Sequence, residues 1–439
     1  MTKSKDINFS EDAQRIIELV KKSRKNLFIT GKAGTGKSTL LHHISEIDPD
    51  IVVLAPTGIA AINVNGETIH SFFKLKPGYE LDEAKHVRIS NKMISDYEDL
   101  KTVIIDEISM VRADILDAID VFLQRVKKNN SPFGGVRMIF FGDLFQLPPV
   151  LRNEDKEQFY QTYKSPYFFS AQVFIQHDLF VDPFQLEQCE LNHIYRQKDP
   201  VFTDILNSIR NNKATATQLN LLNKQVGSGS QNSEDFQIKL VSTNALANKF
   251  NSERLEKLNH KEHRFDAHAR GSVENLRPNE KNVFLKKEAQ VMFINNDPQK
   301  RWVNGTIGKI LSFGEKLDPE SEELYKYVEV ELENGKTIEV APFTWEISKY
   351  VFKSGKFQRE QIGTFTQIPL KLAWAITIHK SQGKTFNKVE INLGRGSFAH
   401  GQTYVALSRC TSLENITLAA PIRQSDIILD EEVLRFSNS

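Results

Sequence analysis

A glycine-rich run of nine residues carries the clearest chemistry in the sequence. Residues Gly31 to Thr39 read Gly-Lys-Ala-Gly-Thr-Gly-Lys-Ser-Thr, which matches the pattern G-x-x-x-x-G-K-S. Glycines at these positions let backbone N–H groups approach phosphate oxygens without a Cβ in the way. The Lys37 ammonium group can reach the β and γ phosphates, and the Ser38 hydroxyl can ligate Mg²⁺. The run therefore predicts a nucleoside triphosphate site.

Polar residues after two later apolar runs suit the hydrolysis of that triphosphate. Asp106 and Glu107 follow one run, and Gln146 comes shortly after another. Beside a phosphate loop, Asp106 is expected to orient Mg²⁺ through its water shell, and Glu107 to polarise the attacking water as a general base. The neutral amide of Gln146 suits contact with the γ-phosphate or with water. The alternative is structural, since acids at a strand end and a glutamine in a turn also simply face solvent.

Hydrolysis also needs positive charge on the transferred γ-phosphoryl group, which an arginine often supplies. Arg196 and Arg409 both lie outside the part of the chain that carries the phosphate loop. If two domains share one nucleotide, each arginine can reach it across the cleft, and closure of the cleft is then coupled to the phosphate state. The alternative for either arginine is an ion pair on the surface.

Buried strands alternate with helical stretches through the first 180 residues or so and must position these groups. Their apolar residues are continuous rather than alternating, which is typical of strands covered on both faces of a parallel sheet. The pattern predicts a first α/β domain over residues 1–183. Its expected strands are Leu27–Ile29, Ile51–Leu54, Val103–Ile105 and Arg137–Phe141.

A second α/β pattern follows a predicted linker at 182–184 and is interrupted by a stretch of different character. The interruption, residues 288–365, has short alternating strands, and residues 327–340 carry Asn334-Gly335 at their centre, which predicts a hairpin. We therefore expect a small antiparallel barrel inserted into a second α/β domain made of residues 184–287 and 366–439. The expected strands of that domain are 185–191, 238–241, 373–378, 389–393 and 416–420, with helices over 201–211 and 245–258.

Composition narrows the class of protein. The chain has 439 residues, of which 40% are hydrophobic and 26% charged, as in globular proteins, and a net charge of +1. A basic groove for nucleic acid must therefore be local. Cys189 and Cys410 are the only cysteines, so neither a disulfide framework nor a zinc site is expected. No apolar run approaches the ~20 residues of a membrane span, and the start lacks a signal peptide, so a cytoplasmic protein without a membrane partner is expected.

Eight motifs, in order, resemble those of the petite-integration-frequency (Pif) family of superfamily 1B DNA helicases, to which RecD-type helicases are related. The resemblance extends over nearly the whole chain, from Phe9 to about Phe436. The motifs are Gly31 to Ser38, Ala55-Pro-Thr-Gly-Ile-Ala-Ala61, Gly66-Glu-Thr-Ile-His-Ser-Phe72, Asp106-Glu-Ile-Ser-Met110, Gly142-Asp-Leu-Phe-Gln-Leu-Pro-Pro149, Tyr195-Arg-Gln197, Thr377-Ile-His-Lys-Ser-Gln-Gly383 and Tyr404-Val-Ala-Leu-Ser-Arg409.

The resemblance implies an α/β fold of two RecA-like domains, with an SH3-like β-barrel inserted in the second. ATP and Mg²⁺ bind between the domains, single-stranded DNA lies across them, and movement is 5′ to 3′. Lys37, Glu107, Gln146, Arg196 and Arg409 are then catalytic, and Ser38 and Asp106 hold the metal. The implied nucleotide contacts are Gln14, Gly34, Thr35, Gly36, Lys37, Ser38, Thr39 and Gly383.

The resemblance also implies a DNA track and a strand-separating wedge, the latter at residues 62–77. From the residues alone, Thr, Ser, His and Lys suit phosphate contacts, and Phe72 or Phe73 could stack on a base. An Ile-His-Ser-Phe-Phe run is nevertheless more often core packing. The implied DNA contacts are Thr57, Gly58, His70, Ser71, Phe72, Thr243, Thr377, His379 and Lys380.

Forked duplexes, RNA–DNA hybrids and G-quadruplexes are all substrates that the resemblance allows. They imply work in replication, repair, recombination or telomere maintenance. A monomer in solution is expected, in a bacterial cytoplasm and associated with the nucleoid. The alternative function is a P-loop switch or assembly ATPase that binds a protein partner through the inserted barrel. That alternative explains residues 31 to 146 equally well, but not the ordered motifs with Arg196, Arg409 and His379-Lys380.

Overall fold

Two parallel sheets and an antiparallel insertion make up the fold. The computed structural model describes residues 9–76, 78, 80–175, 184–197, 199–228, 236–271, 273, 277–317, 324–353 and 355–438. Within them one sheet has six parallel strands and another has four. The predicted α/β class with two parallel-sheet domains is confirmed. No helix in these ranges is long and apolar enough to cross a membrane.

The first domain is built on the six-stranded sheet, whose order is β3-β2-β4-β5-β1-β6. Strands β2, β4 and β5 are buried at every residue, as the continuous apolar runs predict. The elements are α1 (Glu11–Lys22), β1 (Asn26–Gly31), α2 (Lys37–Ile47), β2 (Val52–Ala55), α3 (Gly58–Asn63), β3 (Glu67–Thr68), α4 (Ile69–Phe72), α5 (Glu80–His86), α6 (Asn91–Glu98), β4 (Thr102–Ile105), α7 (Ala113–Lys127), β5 (Arg137–Phe141), α8 (Lys156–Thr162) and β6 (Leu186–Leu191).

Strand β6 belongs to the first sheet, so the domain boundary predicted at residues 183 and 184 is wrong. β6 runs parallel to β1 over six residue pairs, from Asn26 with Leu186 to Gly31 with Leu191. It is an edge strand, and its burial is incomplete. In the sequence, a partly polar strand of this kind looks like the first strand of a new domain. Only its pairing with β1 shows that it belongs to the first sheet. Most of the predicted linker lies in residues 176–183, outside the described residues.

The second domain begins after β6 and is completed only after the insertion. Its four-stranded sheet has the order β18-β7-β19-β20. In chain order the remaining elements are α9 (Pro200–Arg210), α10 (Ala216–Asn223), β7 (Ile238–Val241), α11 (Asn244–Glu256), β8 (Glu262–Asp266), β9 (His268–Gly271), β10 (Asn282–Lys286), β11 (Gln290–Phe293), β12 (Ile307–Leu317), β13 (Leu324–Leu332), β14 (Thr337–Val340), β15 (Phe343–Lys353), β16 (Lys356–Gln367), β17 (Leu370–Leu372), β18 (Ala375–Thr377), β19 (Val389–Asn392), α12 (Gln402–Leu407), β20 (Ile416–Leu418) and α13 (Glu431–Ser437).

The antiparallel insertion is wider than the predicted residues 288–365, since its strands run from β8 to β17. They form sheets of five (β14-β13-β12-β11-β17), three (β15-β16-β9) and two strands (β10-β8). The hairpin predicted around Asn334-Gly335 is confirmed as the β13–β14 pair. The outer strands escaped prediction because β8 and β9 are largely exposed and lack a clean alternation. An SH3-like character of the five-stranded sheet stays a prediction.

The long β15–β16 hairpin extends from the insertion to the first domain, where it meets the predicted wedge. The backbone N–H of Val53 donates to the Tyr350 hydroxyl at 3.1 Å, and the Tyr350 N–H donates to a Glu67 carboxylate oxygen at 2.7 Å. The Phe357 ring lies 5.2 Å, between centroids, from that of Phe72. Residues 62–76, the described part of the predicted wedge, therefore pack against the inserted domain.

Candidate nucleotide site and the groove beside it

The phosphate loop connects the end of β1 to the start of α2, as predicted. Gly34 and Gly36 have φ angles of +84° and +85°, in the left-handed region that glycine tolerates. A Cβ at Gly34 would in addition collide with the Cβ of Arg196. The backbone N–H of Tyr195 donates to the Gly34 carbonyl at 2.9 Å. The predicted Tyr195-Arg-Gln197 motif therefore lies directly over the loop.

Lys37 is the first residue of α2, and its ammonium group turns back into the loop. It donates to the carbonyl oxygens of Gly31 at 2.6 Å and Lys32 at 3.2 Å. Burial lowers the pKa of Lys37, while the charges of Asp143 and Glu107 oppose that shift. The predicted contacts Ser38 and Thr39 follow on the exposed first turn of the helix, and the Thr35 hydroxyl donates to Lys32 within the loop at 2.9 Å.

Asp106 and Glu107, the acids predicted to hold the metal and to activate the water, lie just beyond β4, where burial disfavours their charged forms. Burial raises the pKa of Asp106 to about 7, and the neighbouring Glu107 charge adds to the rise. Burial also raises the pKa of Glu107, which the charges of Lys37 and Arg409 partly offset. Glu107 has a φ of +48°, unusual for a residue with a side chain. Buried carboxylates of this kind are a favourable place for a cation.

Gln146 joins the first domain to the motif at residues 377–383. It is 7% exposed, and its side-chain N–H donates to Asp143 at 3.3 Å. Its oxygen accepts a hydrogen bond from the Gln382 amide at 3.4 Å. The solvent-facing alternative for Gln146 is therefore wrong.

Arg196 and Arg409 converge from the far side of the cleft. Arg409 is 1% exposed, and its guanidinium donates to the carbonyl oxygens of Val405 at 2.8 Å and Ser381 at 3.1 Å. Arg196 donates to the Ser408 carbonyl at 3.3 Å. Burial lowers the pKa of Arg409 to about 9, and the Arg196 charge adds to the effect. Since the side chain is buried, the surface-ion-pair alternative is wrong for Arg409.

Direct contacts hold the two domains together around the loop. The backbone N–H of Ala33 donates to the Tyr404 hydroxyl at 3.1 Å. Asp143 of the first domain and Arg210 of the second form an ion pair at 3.1 Å. Sequence reasoning assigned no role to these three side chains. Tyr404 and Asp143 lie inside two of the eight family motifs, and this position could have indicated a functional role. A basic residue in the last turn of a helix, such as Arg210, is too common to indicate one.

Gln14 and Gly383, the remaining predicted nucleotide contacts, lie at the margins. Gln14 is exposed on α1, and its amide donates to the Phe9 carbonyl at 2.9 Å. The Phe9 ring lies 4.7 Å from the ring of His43 on α2. Gly383 has a φ of +74° and open space around it. None of these contacts ties Gln14 or Gly383 to the phosphate loop itself.

A cavity of about 260 Å³ lies beside the nucleotide cleft and is formed by both domains. Three residues predicted to contact DNA line it, namely Thr57 and His70 from the first domain and His379 from the second. Burial lowers the pKa of His379, which favours the neutral form of its ring. The other lining residues are Pro56, Ile69, Met110, Val111, Arg112, Ile115, Leu147, Pro148, Val150 and Gln382.

Thr57 and Thr243 occupy equivalent positions in the two domains. Each follows a sheet strand, β2 or β7, and caps the next helix by accepting a backbone N–H, from Ala60 at 3.2 Å and from Leu246 at 3.3 Å. Both are exposed, and Gly58 follows Thr57 with open space around it. This pairing gives the two domains matching polar edges.

Thr377 and Lys380 differ in their access to solvent. Thr377 is 3% exposed, and its hydroxyl accepts the Lys380 backbone N–H at 3.2 Å. The side chain of Lys380 is exposed. Of the two, Lys380 can therefore approach a phosphate directly, and Thr377 shapes the turn that carries it.

Phe72 corrects the prediction that its ring stacks on a base. The side chain is 3% exposed, and its ring lies 5.0 Å from that of Phe73 and 5.3 Å from that of Tyr97. These rings belong to the first-domain core, so the core-packing alternative describes Phe72 and Phe73. His70 and Ser71 on the same short helix are half-buried and remain near the surface.

Comparison with known proteins matches the chain to helicases. The family model for "PIF1-like helicase" matches residues 8–220. The ATP-dependent DNA helicase Pif1 of Bdellovibrio bacteriovorus is 32% identical over 98% of this chain and 92% of its own length.

Solved structures match over nearly the full length. Bacteroides sp. Pif1 in complex with ADP-AlF4 has 36% identity and a TM-score of 0.86, and the match covers 99% of this chain and 97% of that one. Bacteroides Pif1 in complex with ADP-AlF3 and single-stranded DNA has the same identity and coverage but a TM-score of 0.68. The unliganded Bacteroides sp. Pif1 has a TM-score of 0.85, so this chain superposes better on the two structures without DNA than on the complex with single-stranded DNA.

Proposed function

The chain belongs to the PIF1-like helicase family and is an ATP-dependent DNA helicase, and from that premise we propose that it moves 5′ to 3′ along single-stranded DNA and separates duplexes ahead of it. The observation that carries the proposal is that both domains contribute to the nucleotide cleft and to the adjacent groove. Gln146 borders the nucleotide cleft, Gln382 lines the groove, and the two side chains are hydrogen-bonded to each other. Closure of the cleft therefore also changes the groove.

The residues of the cleft fit ATP with Mg²⁺. Positive φ angles at Gly34 and Gly36 turn backbone N–H groups into the loop, and Ser38 is exposed on the first helical turn. The desolvated Asp106 and Glu107 gain from a nearby cation. When bound, Mg²⁺ supplies charge neutralisation for the phosphates, and Ser38 and Asp106 hold it. Gln14, Thr35, Thr39 and Gly383 complete the nucleotide contacts.

Hydrolysis is then shared between the domains. Lys37 binds the β and γ phosphates, and Glu107 takes a proton from the attacking water. Its raised pKa brings the carboxylate nearer to working pH, as suits a general base. Gln146 senses the γ-phosphate, and Arg196 and Arg409 stabilise the charge on the transferred group from the second domain. ATP closes the cleft, and loss of the γ-phosphate reopens it.

The DNA track follows the matching edges of the two domains. Thr57, Gly58, His70 and Ser71 hold the strand on the first domain, and Thr243, Thr377, His379 and Lys380 hold it on the second. Because the track draws on both domains, alternating closure shifts one grip relative to the other. The 62–77 segment is the strand-separating wedge, and the inserted antiparallel domain packs beside it.

The finer assignments follow the family. Forked duplexes, RNA–DNA hybrids and G-quadruplexes are the proposed substrates, in replication, repair, recombination or telomere maintenance. The enzyme is proposed to be a monomer in solution and to work in the bacterial cytoplasm at the nucleoid. Sedimentation of the free protein, and of the protein on a fork, tests the first of these.

Unwinding of tailed duplexes tests the direction of movement. A duplex with a 5′ single-stranded tail is expected to be separated in the presence of ATP and Mg²⁺, because a 5′-to-3′ motor that loads on that tail runs into the duplex. A 3′-tailed duplex of the same sequence is expected to stay intact. Lys37→Ala is the control, since it keeps the groove but removes the phosphate contact. Preferential unwinding of the 3′-tailed duplex would contradict the proposed 5′-to-3′ movement. If neither duplex were unwound, the proposed helicase function would be contradicted.

A further inference from the structure

Arg210 and Asp143 form a buried ion pair between the two domains. Arg210 is the last residue of α9 in the second domain, and Asp143 follows β5 in the first. A guanidinium nitrogen of Arg210 lies 3.1 Å from a carboxylate oxygen of Asp143, and their side chains are 7% and 0% exposed. Buried charges are rarely kept without a partner, so this contact needs both domains in place.

Arg210 also touches the segment around Asp143 in a second way. Its guanidinium carbon lies 3.8 Å from the centre of the Phe145 ring, a cation–π contact. Asp143 in turn accepts the Phe145 backbone N–H at 3.2 Å and the Gln146 amide at 3.3 Å. The Nε of Arg210 is buried with no hydrogen-bond partner among the described residues. Arg210 thus fixes the carboxylate that fixes Gln146.

Electrostatics places Asp143 between two cations. Burial alone raises the pKa of Asp143, but the charges of Arg210 and Lys37 outweigh it and hold that pKa below its usual value. Burial lowers the pKa of Arg210, and Asp143 more than compensates. Each charge of the pair thus stabilises the other, and the Lys37 charge adds to the stabilisation of the Asp143 carboxylate. Separation of the domains would release both to water together.

We propose that Arg210 is a positioning residue for ATP hydrolysis, which holds Asp143, and through it the Gln146 amide, in the closed interdomain site. The proposal rests on the proposed ATPase function of the cleft. Arg210 differs from Arg196 and Arg409 in its target, because it binds a protein carboxylate and acts through it. The pair also favours closure of the cleft in the nucleotide-free protein.

Arg210→Met tests the proposal, since it keeps much of the apolar length and removes the charge. The kcat for DNA-stimulated ATP hydrolysis is expected to fall about 10²-fold, as for a misplaced catalytic group, while the KM for ATP stays near the wild-type value. Without nucleotide, the distance between dyes on Glu18 of α1 and Glu253 of α11, measured by single-molecule fluorescence transfer, is expected to shift to longer values.

Arg264→Met is the matched control, because it removes an exposed ion pair with Asp266 whose side chains are 58% and 54% exposed. Wild-type turnover and dye distances are expected there. If Arg210→Met also keeps both, the proposal is overturned. If the wild-type protein shows no DNA-stimulated ATPase, the proposed function fails, but the dye distances still report on the ion pair.

Asp143→Asn separates action through Asp143 from a general loss of structure. In a double-mutant cycle, Arg210→Met is expected to reduce kcat little further once Asp143 is Asn, because the shared contact is already lost. Effects that multiply would show that Arg210 acts independently of Asp143. Arg210→Lys keeps the charge and guards against misfolding. Arg210→Lys is expected to retain the wild-type thermal midpoint and part of the wild-type kcat. If this variant keeps the thermal midpoint but its kcat is no higher than that of Arg210→Met, a role for the ion pair in hydrolysis is contradicted.

Discussion

Glu107→Gln is expected to abolish ATP turnover while the protein still binds ATP and single-stranded DNA. The substitution keeps the size of the side chain and removes the carboxylate that accepts the proton of the attacking water. Glu107 is half-buried and lies within electrostatic reach of Lys37 and Arg409, the groups proposed to hold the phosphates from either side. Steady-state phosphate release, together with fluorescence anisotropy of labelled ATP and labelled DNA, measures the three properties separately.

A matched exposed carboxylate provides the comparison for this variant. Glu253→Gln on α11 changes the same chemistry on the surface of the second domain and is expected to hydrolyse ATP as the wild-type protein does. Residual turnover in Glu107→Gln within a few-fold of wild type would remove Glu107 as the base. Loss of ATP binding in Glu107→Gln would also contradict the role of Glu107 as general base, because it would show that Glu107 is needed for ATP binding.

Arg409→Ala is expected to slow hydrolysis by roughly three orders of magnitude while ATP stays bound, as when an arginine finger is removed. Arg409 approaches from the second domain, is 1% exposed, and is close enough to Glu107 for each charge to shift the pKa of the other. Single-turnover hydrolysis of pre-bound ATP measures the chemical step without a contribution from binding.

The burial of Arg409 means that a structural effect must be separated from a catalytic one. Its guanidinium also holds the Ser381 carbonyl and the Ser408 hydroxyl, at 3.1 and 2.7 Å. Arg409→Lys and a thermal melt of each variant show whether the fold is kept, and Arg395→Ala, at an exposed residue of the same domain, is the control. A slowing below tenfold in a folded variant would leave Arg409 with a packing role only.

The parts of the site that depend on local spacing could be predicted from the sequence. The phosphate loop needs a strand, a run of glycines and a helix within some twenty residues, and all three are contiguous between Asn26 and Ile47. Asp106 and Glu107 directly follow a buried strand, and Gln146 follows another after four residues, so that their place at the edge of a parallel sheet follows from the strands. In the structure, Glu107 lies within electrostatic reach of Lys37 and Arg409, and the catalytic roles of these groups stay predictions.

The parts that depend on long-range pairing could not be predicted. β6 is a half-exposed edge strand, and nothing in its own residues says that it pairs with β1. The Arg210–Asp143 pair joins residues 67 positions apart, and the Tyr404–Ala33 hydrogen bond joins residues 371 apart. For Phe72 the family motif predicted a contact with DNA, but its apolar ring is buried in the core. Burial outweighs a motif where the two disagree.

ATPase activity titrated with single-stranded DNA measures whether one cleft couples ATP hydrolysis to DNA binding. We expect kcat to rise steeply with DNA to a plateau, and the DNA concentration needed for half of the rise to increase with salt, because phosphate contacts release counterions. A rate that stays flat as DNA is added, in a protein that binds both ligands, would contradict this coupling.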